Sequence, residues 1–510
     1  GKLAADPSRY ASRDLNDLVL TGLQRDLSAY IGQPWARRGM WNRSYSESRL
    51  PVVPSMILET LSHQNFADLK WGHDPNFKFT LGRSVYKSVL RFVATQHGED
   101  YVVQPLPVDH FAIRFTNHPE PVKKRGKKQD NATIQLSWKA VNDPLESSAK
   151  PEGYVVYTRI GYGGFDNGVY VDEPRLEMEI EPGLVYSFKV TAVNEGGESF
   201  DSETLSACIT SENKGHIMII NGFERVSAPM SVQGDSIAGF YNRYDSGAAY
   251  LQDISFIGEQ TIFDRRLSRS ENDNYALGTC YNDYETMVIA GNSFDYPALH
   301  GEDIMKAGYS FSSSSVKAVE RGDINLKRYN AIDLILGKQR TIAIGRGAMG
   351  YRYEAMSESL QRAVRDYTTS GGGVMISGSY LLSDLWHSPE ATENDSAFAE
   401  EVLKVKFGGT PASRNGKINS KPTQFAHRRI EFTFNTELSE DIYSVESPEV
   451  VRACDSGCIN ALQYANTQEA AAVAYKGDYS TFVMGFPYET ITNGAEREKL
   501  MSDILTWIIK

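Results

Sequence analysis

Alternating and continuous apolar runs divide the 510-residue chain into three regions with different predicted structures. Between residues 116 and 213, the segments 133–138 (TIQLSW), 154–158 (YVVYT) and 186–193 (YSFKVTAV) alternate apolar and polar positions. A period of two is typical of half-buried strands, and Gly, Pro and Asn between the segments indicate turns. This middle region is therefore predicted to form an all-β sandwich.

From residue 214 to residue 510, apolar runs of strand length alternate with helical patterns. Continuous apolar runs predict parallel strands buried on both faces, and they occur at 216–222, 286–290, 331–336 and 373–377. The stripe from Met356 to Tyr367 predicts a helix that faces a sheet. Residues 472–475 and 481–485 are predicted to form an antiparallel pair, and 496–509 a closing helix. Together these patterns predict an α/β domain with a mostly parallel sheet.

Residues 1–115 are predicted to form a partial α/β region. The run 56–58 predicts a buried strand that ends at Glu59, and a polar turn with Ser62, His63 and Asn65 follows. Because α/β proteins place their chemistry at the carboxyl ends of strands, a carboxylate at this position suits a general acid or base. The structural alternative is that Glu59 caps the next helix.

The middle region resembles a fibronectin type III module. Tyr186 follows the Pro-Gly turn of IEPGLVY, which is the setting of a tyrosine corner. The sequence NEGGES at 194–199 is predicted to form the last hairpin turn. Trp138 and Tyr186 are interpreted as core and corner residues, with an exposed sugar platform as the alternative. Modules of this kind space other domains or bind partners, and their function is set by individual sites.

The C-terminal region resembles the class I glutamine amidotransferase-like or flavodoxin-like fold. The resemblance lies in the segments YNAIDLILGKQ, DYTTSGGGVMISGSYL and VMGFPYETI. It implies a nucleophile in the turn between a central strand and the next helix, yet no Cys is present there. Ser379 is predicted to cap the following helix rather than to replace that nucleophile. The domain is therefore predicted to be degenerate and to bind sugar or peptide, or to mediate assembly.

The N-terminal region resembles the second half of the zinc-dependent N-acetylmuramoyl-L-alanine amidases. A strand, a Glu and an Asn-x-x-Asp turn mark that family, and here they correspond to Glu59 and to the turn from Asn65 to Asp68. Residues 12–18, 35–39 and 77–92 resemble the family's flanking elements. The resemblance implies that Glu59 is the catalytic general base. It also implies a supporting active-site turn formed by Ser62, His63, Asn65 and Asp68.

Zinc is the cofactor that the amidase resemblance implies for the parent protein. The family's His-Glu-His ligands lie upstream of the matched segment, and no His precedes His63 in this chain. No HxxEH or HxGH spacing occurs either. A catalytic zinc needs about three protein ligands and an open position. The chain is therefore predicted to carry half of an amidase domain, to bind no zinc and to be inactive alone.

Composition limits the partners further. The net charge of −12 disfavours nucleic acid, and the basic run KKRGKK at 123–128 is predicted to be a solvated loop. No run of 18 apolar residues occurs, so no transmembrane segment is predicted. Cys454 and Cys458 are spaced to close a small disulfide loop in an oxidising compartment, with free thiols as the alternative.

Two functions remain open from the sequence. The first is a secreted or periplasmic peptidoglycan hydrolase of the amidase type. The second is a non-catalytic envelope protein that binds glycan or protein. Leu61 and Ser62 replace the amidase Gly-Phe, and this variant resembles Bacteroidetes-type envelope proteins that are often labelled putative xanthan lyases. Either function predicts peptidoglycan or another envelope glycan as partner, and the oligomeric state stays open.

Overall fold

The computed structural model describes residues 7–62, 65–117, 119–122, 130–234, 238–241, 244–253, 287–345, 347 and 349–509. Within these residues the chain is multidomain: a helical N-terminal part, a β-sandwich and a large mixed α/β sheet follow one another. No helix in this part of the chain is long and apolar enough to cross a lipid bilayer.

The N-terminal part is helical. Its helices are α1 (Pro7–Ile31), α2 (Ser46–Arg49), α3 (Phe66–Gly72) and α4 (Pro75–His97). Helices α1 and α4 bury an apolar core that includes Val19, Leu27 and Phe77. The Asp74 side chain caps α4 by accepting a hydrogen bond from the Asn76 amide. Residues 12–18 and 77–92, which resemble flanking elements of the amidase family, lie within α1 and α4.

The predicted strand at 56–58 is wrong, and with it the α/β character of this region. Residues 50–62 contain no helix or strand, and the described residues before 109 contain no strand at all. Ile57 is exposed, whereas Met56 and Leu58 pack against the helical core. A short apolar run becomes a strand only where a neighbouring strand takes its backbone hydrogen bonds. Here the run supplies side chains to a helical core instead.

A β-sandwich of the fibronectin type III kind follows. Its strands are β1 (Asp109–Phe115), β2 (Ala132–Lys139), β3 (Gly153–Ile160), β4 (Val169–Val171), β5 (Arg175–Ile180), β6 (Tyr186–Asn194), β7 (Gly197–Glu198) and β8 (Leu205–Ala207). One sheet has the order β1-β2-β5, and the other has β4-β3-β6-β7 with β8 beside β6. Trp138 is buried in the core, and the Tyr186 hydroxyl accepts a hydrogen bond from the Glu181 amide at 3.3 Å. The predicted strands, core residue and tyrosine corner are confirmed.

The first sandwich strand lies before the predicted domain boundary. Strand β1 pairs antiparallel with β2, with Ile113 opposite Leu136. Phe111 and Ile113 are part of the sandwich core. The predicted division between residues 115 and 116 therefore falls at the end of a strand that belongs structurally to the sandwich.

The α/β domain is built on a central mixed sheet. The central strands are β9 (His216–Asn221), β14 (Ser310–Ser315), β15 (Ala331–Gly337), β18 (Gly373–Gly378), β23 (Cys458–Gln463), β24 (Ala470–Lys476) and β25 (Ser480–Met484). Strands β14, β9, β15, β18 and β25 are parallel in this order, and β24 and β23 extend the sheet antiparallel. The predicted strands at 216–222, 331–336 and 373–377 and the pair at 472–485 are confirmed. The run 286–290 is not a central strand, and residue 286 lies outside the described residues.

Helices cover both faces of this sheet. They are α5 (Tyr296–Lys306), α6 (Val316–Glu320), α7 (Glu358–Thr369), α8 (Leu381–His387), α9 (Glu393–Phe398) and α10 (Gly494–Ile508). Helices α5 and α10 pack on one face, whereas α6, α7 and α8 pack on the other. The remaining strands form small two-stranded ribbons: β10 (Ser231–Gln233), β11 (Ala238–Phe240), β12 (Gln252–Asp253), β13 (Ile289–Ala290), β16 (Ile342–Ala343), β17 (Tyr351–Arg352), β19 (Val405–Gly409), β20 (Lys417–Ser420), β21 (Ile430–Thr433) and β22 (Val450–Ala453).

The sandwich and the α/β sheet are joined edge to edge. Strand β1 pairs antiparallel with β14, with Ala112 opposite Ser314, so one sheet has the order β23-β24-β25-β18-β15-β9-β14-β1-β2-β5. The side chains of β14 (SFSSSS) are all buried. The Ser313 hydroxyl accepts from the Ser206 amide and donates to the Ser206 carbonyl, both at 2.7 Å. The sandwich is therefore fixed to the α/β domain.

The helical part is held against both other regions. Lys87 Nζ lies 3.2 Å from Glu146 Oε1, and Arg83 NH2 lies 2.8 Å from Asp143 Oδ2, both across the contact with the sandwich. On the other side, Gly345 (φ +55°) lies so close to Trp71 that a Cβ atom would be 2.0 Å from the indole ring. These buried contacts fix the position of the helical part against the sandwich and against the α/β domain. A cleft remains between the three regions.

Candidate functional site: a cleft between the three regions

A cleft of about 680 Å³ lies where the helical part, the sandwich and the α/β domain meet. The beginning of α4 (residues 75–80) forms one wall. Phe200 and Asp201, just after the last sandwich hairpin, form the second. Residues 249–253 and Phe294 of the α/β domain form the third. Each wall comes from a different region of the chain, so the cleft exists only because the three are packed together.

A row of aromatic rings lines the cleft. The ring centroids of Phe79 and Phe200 lie 5.4 Å apart, those of Phe200 and Tyr250 6.3 Å, and those of Tyr250 and Phe294 5.7 Å. Phe79, Phe200 and Tyr250 are 37%, 51% and 41% exposed. Apolar surface exposed as a contiguous patch, with polar groups at its rim, is typical of interaction sites.

Polar side chains flank the aromatic row. Lys78 Nζ lies 3.2 Å from Asp253 Oδ2 across the cleft. Asp201 accepts a hydrogen bond from Lys189 at 2.6 Å, and Gln252 also lines the wall. Apolar surface with a few placed polar groups is the usual composition of a small-molecule site.

A charged cluster lies beside the cleft and touches it through Lys317. Lys317, in the first turn of α6, lines the cleft, and its Nζ lies 3.4 Å from both Asp109 Oδ1 and Glu224 Oε1. Nearby, Asn221 Nδ2 donates a hydrogen bond of 2.5 Å to Glu203 Oε2. Asn221 is the last residue of β9 and Glu224 follows it, so the cluster sits at the carboxyl edge of the parallel strands, where α/β folds place ligands.

Burial and neighbouring charges shift the ionisation of this cluster. Desolvation raises the pKa of Glu203 to about 8; Glu224 and Asp109 act in the same direction, while Asn221 and Lys317 oppose it. Desolvation also raises the pKa of Glu224, and there the Lys317 charge opposes the shift. Burial therefore favours the neutral form of the Glu203 carboxyl group, and the Asn221 amide favours its charged form.

The residues predicted as an amidase site lie elsewhere. The Glu59 side chain is 75% exposed, and its Oε2 lies 3.4 Å from Arg38 Nη1. The Ser62 amide donates to Asp68 Oδ2 at 2.9 Å, and the Ala67 amide donates to Asn65 Oδ1 at 3.0 Å. Ser62, Asn65 and Asp68 are thus brought together as the N-terminal cap of α3, but Glu59 is not part of this arrangement. His63 lies outside the described residues.

The predicted site does not fit a zinc ion. Within the described residues, no group of three His, Cys, Asp or Glu side chains is arranged to hold a metal ion. The neighbour of Glu59 is the cation Arg38, and a positive side chain opposes a bound cation. No catalytic step through zinc is therefore derived for this chain.

We predict that the purified chain carries no stoichiometric zinc and releases no L-Ala peptides from peptidoglycan. Without three ligands the metal is not held against dialysis, because a catalytic zinc requires about three protein ligands. Metal analysis by mass spectrometry of the dialysed protein tests this directly. One zinc per chain, together with release of L-Ala peptides that Glu59→Gln abolishes, would restore the amidase site.

The turn after β18 does not present a nucleophile. Ser379 is buried, and its Oγ donates to the Gly337 carbonyl at 3.4 Å. The predicted cap is wrong: Tyr380 (φ +71°) occupies the N-cap of α8 without a side-chain cap hydrogen bond. The Glu449 carboxylate instead accepts from the Leu382 and Ser383 amides at the start of the helix, both at 2.7 Å. The Tyr380 hydroxyl donates to Glu446 Oε1 at 2.7 Å. Both side chains are therefore engaged inside the domain.

Comparisons with known proteins find only weak similarity to this chain. No protein-family model and no curated protein matches the chain. Among solved structures, one titled "Myokine structure" is 14% identical, with a TM-score of 0.16 and coverage of 21% of this chain and 99% of the other. A human fourth FNIII domain is 19% identical, with a TM-score of 0.17 and coverage of 21% and 81%. The exo-beta-1,4-mannosidase Op5Man5 from Opitutaceae bacterium strain TAV5 is 8% identical, with a TM-score of 0.27 and coverage of 42% and 31%.

Similarity this weak carries no information about function, so the function has to be inferred from the geometry of the site. The sandwich assignment stands on its strand order and its tyrosine corner. The cleft residues were not found by sequence reasoning. The one local signal was Phe200-Asp201, an aromatic and an acid placed directly after the NEGGES hairpin.

Proposed function

We propose that this chain is a cell-envelope glycan-binding protein and that the cleft holds a segment of a sugar chain. The observation that carries the proposal is the exposed row formed by Phe79, Phe200 and Tyr250. Sugar rings present flat C–H faces that pack on aromatic rings, and their hydroxyl groups bond to polar side chains at the edge. Aromatic surface combined with polar groups is the composition that such ligands require.

The spacing and size of the cleft support a chain rather than a single sugar. Consecutive ring centroids from Phe79 to Phe294 lie 5.4 to 6.3 Å apart, so the aromatic surface extends over several rings. The volume of about 680 Å³ is within the range of about 300–1,000 Å³ typical of ligand pockets. An oligosaccharide segment therefore matches the site.

The net charge of the protein favours a neutral glycan as the ligand over a polyanionic one. A net charge of −12 repels polyanions over long distances, and the cleft cation Lys78 is already paired with Asp253. The glycan strands of peptidoglycan, or another envelope glycan rich in hydroxyl and amide groups, fit this condition. A secreted or periplasmic location is part of the same proposal.

The amidase activity stays a prediction that rests on the sequence resemblance. Glu59 lies in an exposed irregular segment beside Arg38. In the amidase family the turn that here runs from Asn65 to Asp68 accompanies the catalytic Glu. In this chain that turn caps α3. For this chain the non-catalytic binding role is therefore favoured over peptide release by the amidase route.

Replacing Phe200 or Tyr250 by Ala is expected to weaken glycan binding about tenfold or more, since a stacked aromatic anchor contributes at least ~1.4 kcal/mol. The measurement is isothermal titration calorimetry with soluble glycan strands prepared from peptidoglycan by removal of the stem peptides. Tyr162→Ala is the matched control, because Tyr162 is 85% exposed on the sandwich and lies outside the cleft. Absence of binding, or equal binding by all variants, would contradict the proposed function.

A further inference from the structure

One charged side chain that lines the cleft has no ion-pair partner. The other charged side chains of the lining are all paired, at 2.6 to 3.4 Å: Lys78 and Asp253 with each other, Asp201 with Lys189, and Lys317 with Asp109 and Glu224. Arg352 lines the same cleft and is exposed. Its guanidinium group forms no salt bridge and no hydrogen bond with any of the described residues. Arg352 is therefore the cleft cation that is available to a ligand.

The structure fixes the wall on which Arg352 lies. Arg352 belongs to the ribbon strand β17 and is paired with Ile342 of β16. The hydroxyl group of the next residue, Tyr353, donates a hydrogen bond to Asn76 Oδ1 at 3.1 Å. Asn76 is in the first turn of α4, and this helix also carries Phe79. The cation is therefore held on the α4 side of the cleft, where the aromatic row begins.

A second hydrogen-bond donor on this side also lacks an acceptor. Tyr30 lines the cleft, and its hydroxyl group is buried without a hydrogen-bond partner among the described residues. Burial raises the pKa of Tyr30, Asp74 adds to the rise, and the positive charge of nearby Arg352 opposes it. A buried donor without an acceptor is costly. This side of the cleft therefore has more donors than acceptors, and it suits a ligand group that only accepts hydrogen bonds.

A carboxylate is such a group. It has two acceptor oxygens and no donor, and it can bind both arms of an arginine guanidinium group. In a peptidoglycan strand, the lactyl group of each muramic acid unit ends in a carboxyl group. The stem peptide is attached there through an amide bond, which carries no charge. Removal of the stem peptide leaves a free carboxylate on the strand.

The acidity of the whole protein does not prevent the binding of such a carboxylate. The fields of distant charges are screened within about 8 Å at physiological ionic strength, whereas a pair with Arg352 forms in direct contact. A peptide-free strand carries a carboxylate only on every second sugar, so it is a sparsely charged polymer. The net charge of −12 therefore acts mainly against densely charged polyanions.

We propose that Arg352 binds the carboxylate of a muramic acid unit held on the aromatic row, so that the cleft selects glycan strands without stem peptides. This inference rests on the proposed function. The aromatic row provides the affinity for sugar, and Arg352 determines the specificity. The class of reaction that must supply this ligand is hydrolysis of the amide bond between the lactyl group and the stem peptide.

Isothermal titration calorimetry of the full chain with two glycan preparations of matched length tests the proposal. One preparation is peptide-free strands with free carboxylates, and the other is the same strands with these groups converted to methylamides. The wild type is expected to bind the free acid about fivefold more tightly, the upper end of the contribution of an exposed ion pair. Arg352→Gln is expected to bind both preparations equally, with the affinity of the wild type for the methylamide.

The matched control is Arg429→Gln. Arg429 is also in the α/β domain, its side chain is 63% exposed, and it lies outside the cleft. This variant should keep the wild-type preference for the free acid. Added salt gives a second readout, because it should reduce the preference of the wild type while binding of the methylamide strands stays unchanged.

The outcomes separate this inference from the proposed function. If the wild type binds the free acid no more tightly than the methylamide, or if the preference persists in Arg352→Gln, the role of Arg352 is overturned and glycan binding stands. If the wild type binds neither preparation, both the inference and the proposed function are overturned.

Discussion

Replacing Lys338 by Met is expected to destabilise the α/β domain by about 3–5 kcal/mol. The Lys338 side chain is fully buried, and its Nζ lies 2.8 Å from Glu446 Oε1 and 3.6 Å from Asp245 Oδ1. Asp245 keeps Arg225 as a partner at 2.5 Å, but Glu446 would lose its cation. An uncompensated buried carboxylate is costly. The measurement is the midpoint of urea unfolding followed by circular dichroism.

The matched control is Lys306→Met. Lys306 also touches two carboxylates, Glu302 at 3.1 Å and Glu498 at 3.5 Å, but its side chain is 39% exposed. Exposed ion pairs contribute about 0–1 kcal/mol, so this variant should unfold close to the wild type. If the two variants lose the same free energy of unfolding, burial of the Lys338 ion pairs does not determine their contribution to stability.

Raising the pH from 6.5 to above 9 is expected to reduce the free energy of unfolding by about 3 kcal/mol through His300 alone. His300 Nδ1 lies 2.8 Å from Asp333 Oδ2, and Nε2 lies 3.3 Å from Glu489 Oε2. Burial acts to lower the pKa of His300, but the two carboxylates outweigh it and raise the pKa from 6.5 to about 9. The native state therefore holds a proton that the unfolded chain releases. The stabilisation is complete below pH 6.5 and is lost as the pH rises through 9.

Other buried groups also lower the free energy of unfolding as the pH rises. The contribution of His300 must therefore be measured as a difference between the wild type and a variant. Glu203 and Glu449 have pKa values raised to about 8 and 7 by desolvation, and each also binds a proton more tightly in the native state. The contribution of His300 is the wild-type free energy minus that of His300→Gln, measured by urea unfolding at several pH values. A difference that does not change between pH 6 and pH 10 would contradict the assignment.

The local pattern of apolar residues was sufficient to predict the strands in which that pattern is regular. The sandwich strands β2, β3 and β6 alternate, and the central strands β9, β15 and β18 are continuous apolar runs. Strand β14 has the sequence SFSSSS and matches neither pattern. Several of its hydroxyl groups bond to neighbouring segments of the same chain, as Ser313 does to Ser206. The joined sheet therefore depends on a strand that periodicity cannot reveal.

The N-terminal prediction failed because its motif has a second, local use. Asn65 and Asp68 match a turn in the amidases, but here Asn65 accepts from the Ala67 amide in the first turn of α3 and Asp68 accepts from the Ser62 amide just before that helix. Capping favours these residue types in any helix. The apolar run before Glu59 has no strand beside it within the described residues, so the pattern that suggested a sheet edge gives an irregular surface segment.

The cleft could not have been predicted from one stretch of sequence. Phe79, Phe200 and Tyr250 belong to three different regions and meet only through tertiary packing. Glu203 and Glu224 likewise join through the contact between the sandwich and the end of β9. The pKa values of both groups are raised by burial, and Lys317, which lies far away in the sequence, opposes this shift.

Hydrogen–deuterium exchange with bound glycan tests the central claim most directly, because it shows where the ligand lies. Peptide-free glycan strands at saturating concentration are expected to slow exchange in three separate segments, residues 75–80, 200–204 and 249–253. The same strands should leave the turn at residues 377–381 unchanged. Protection confined to any one region of the chain, or to surfaces away from these three segments, would contradict a glycan site between the domains.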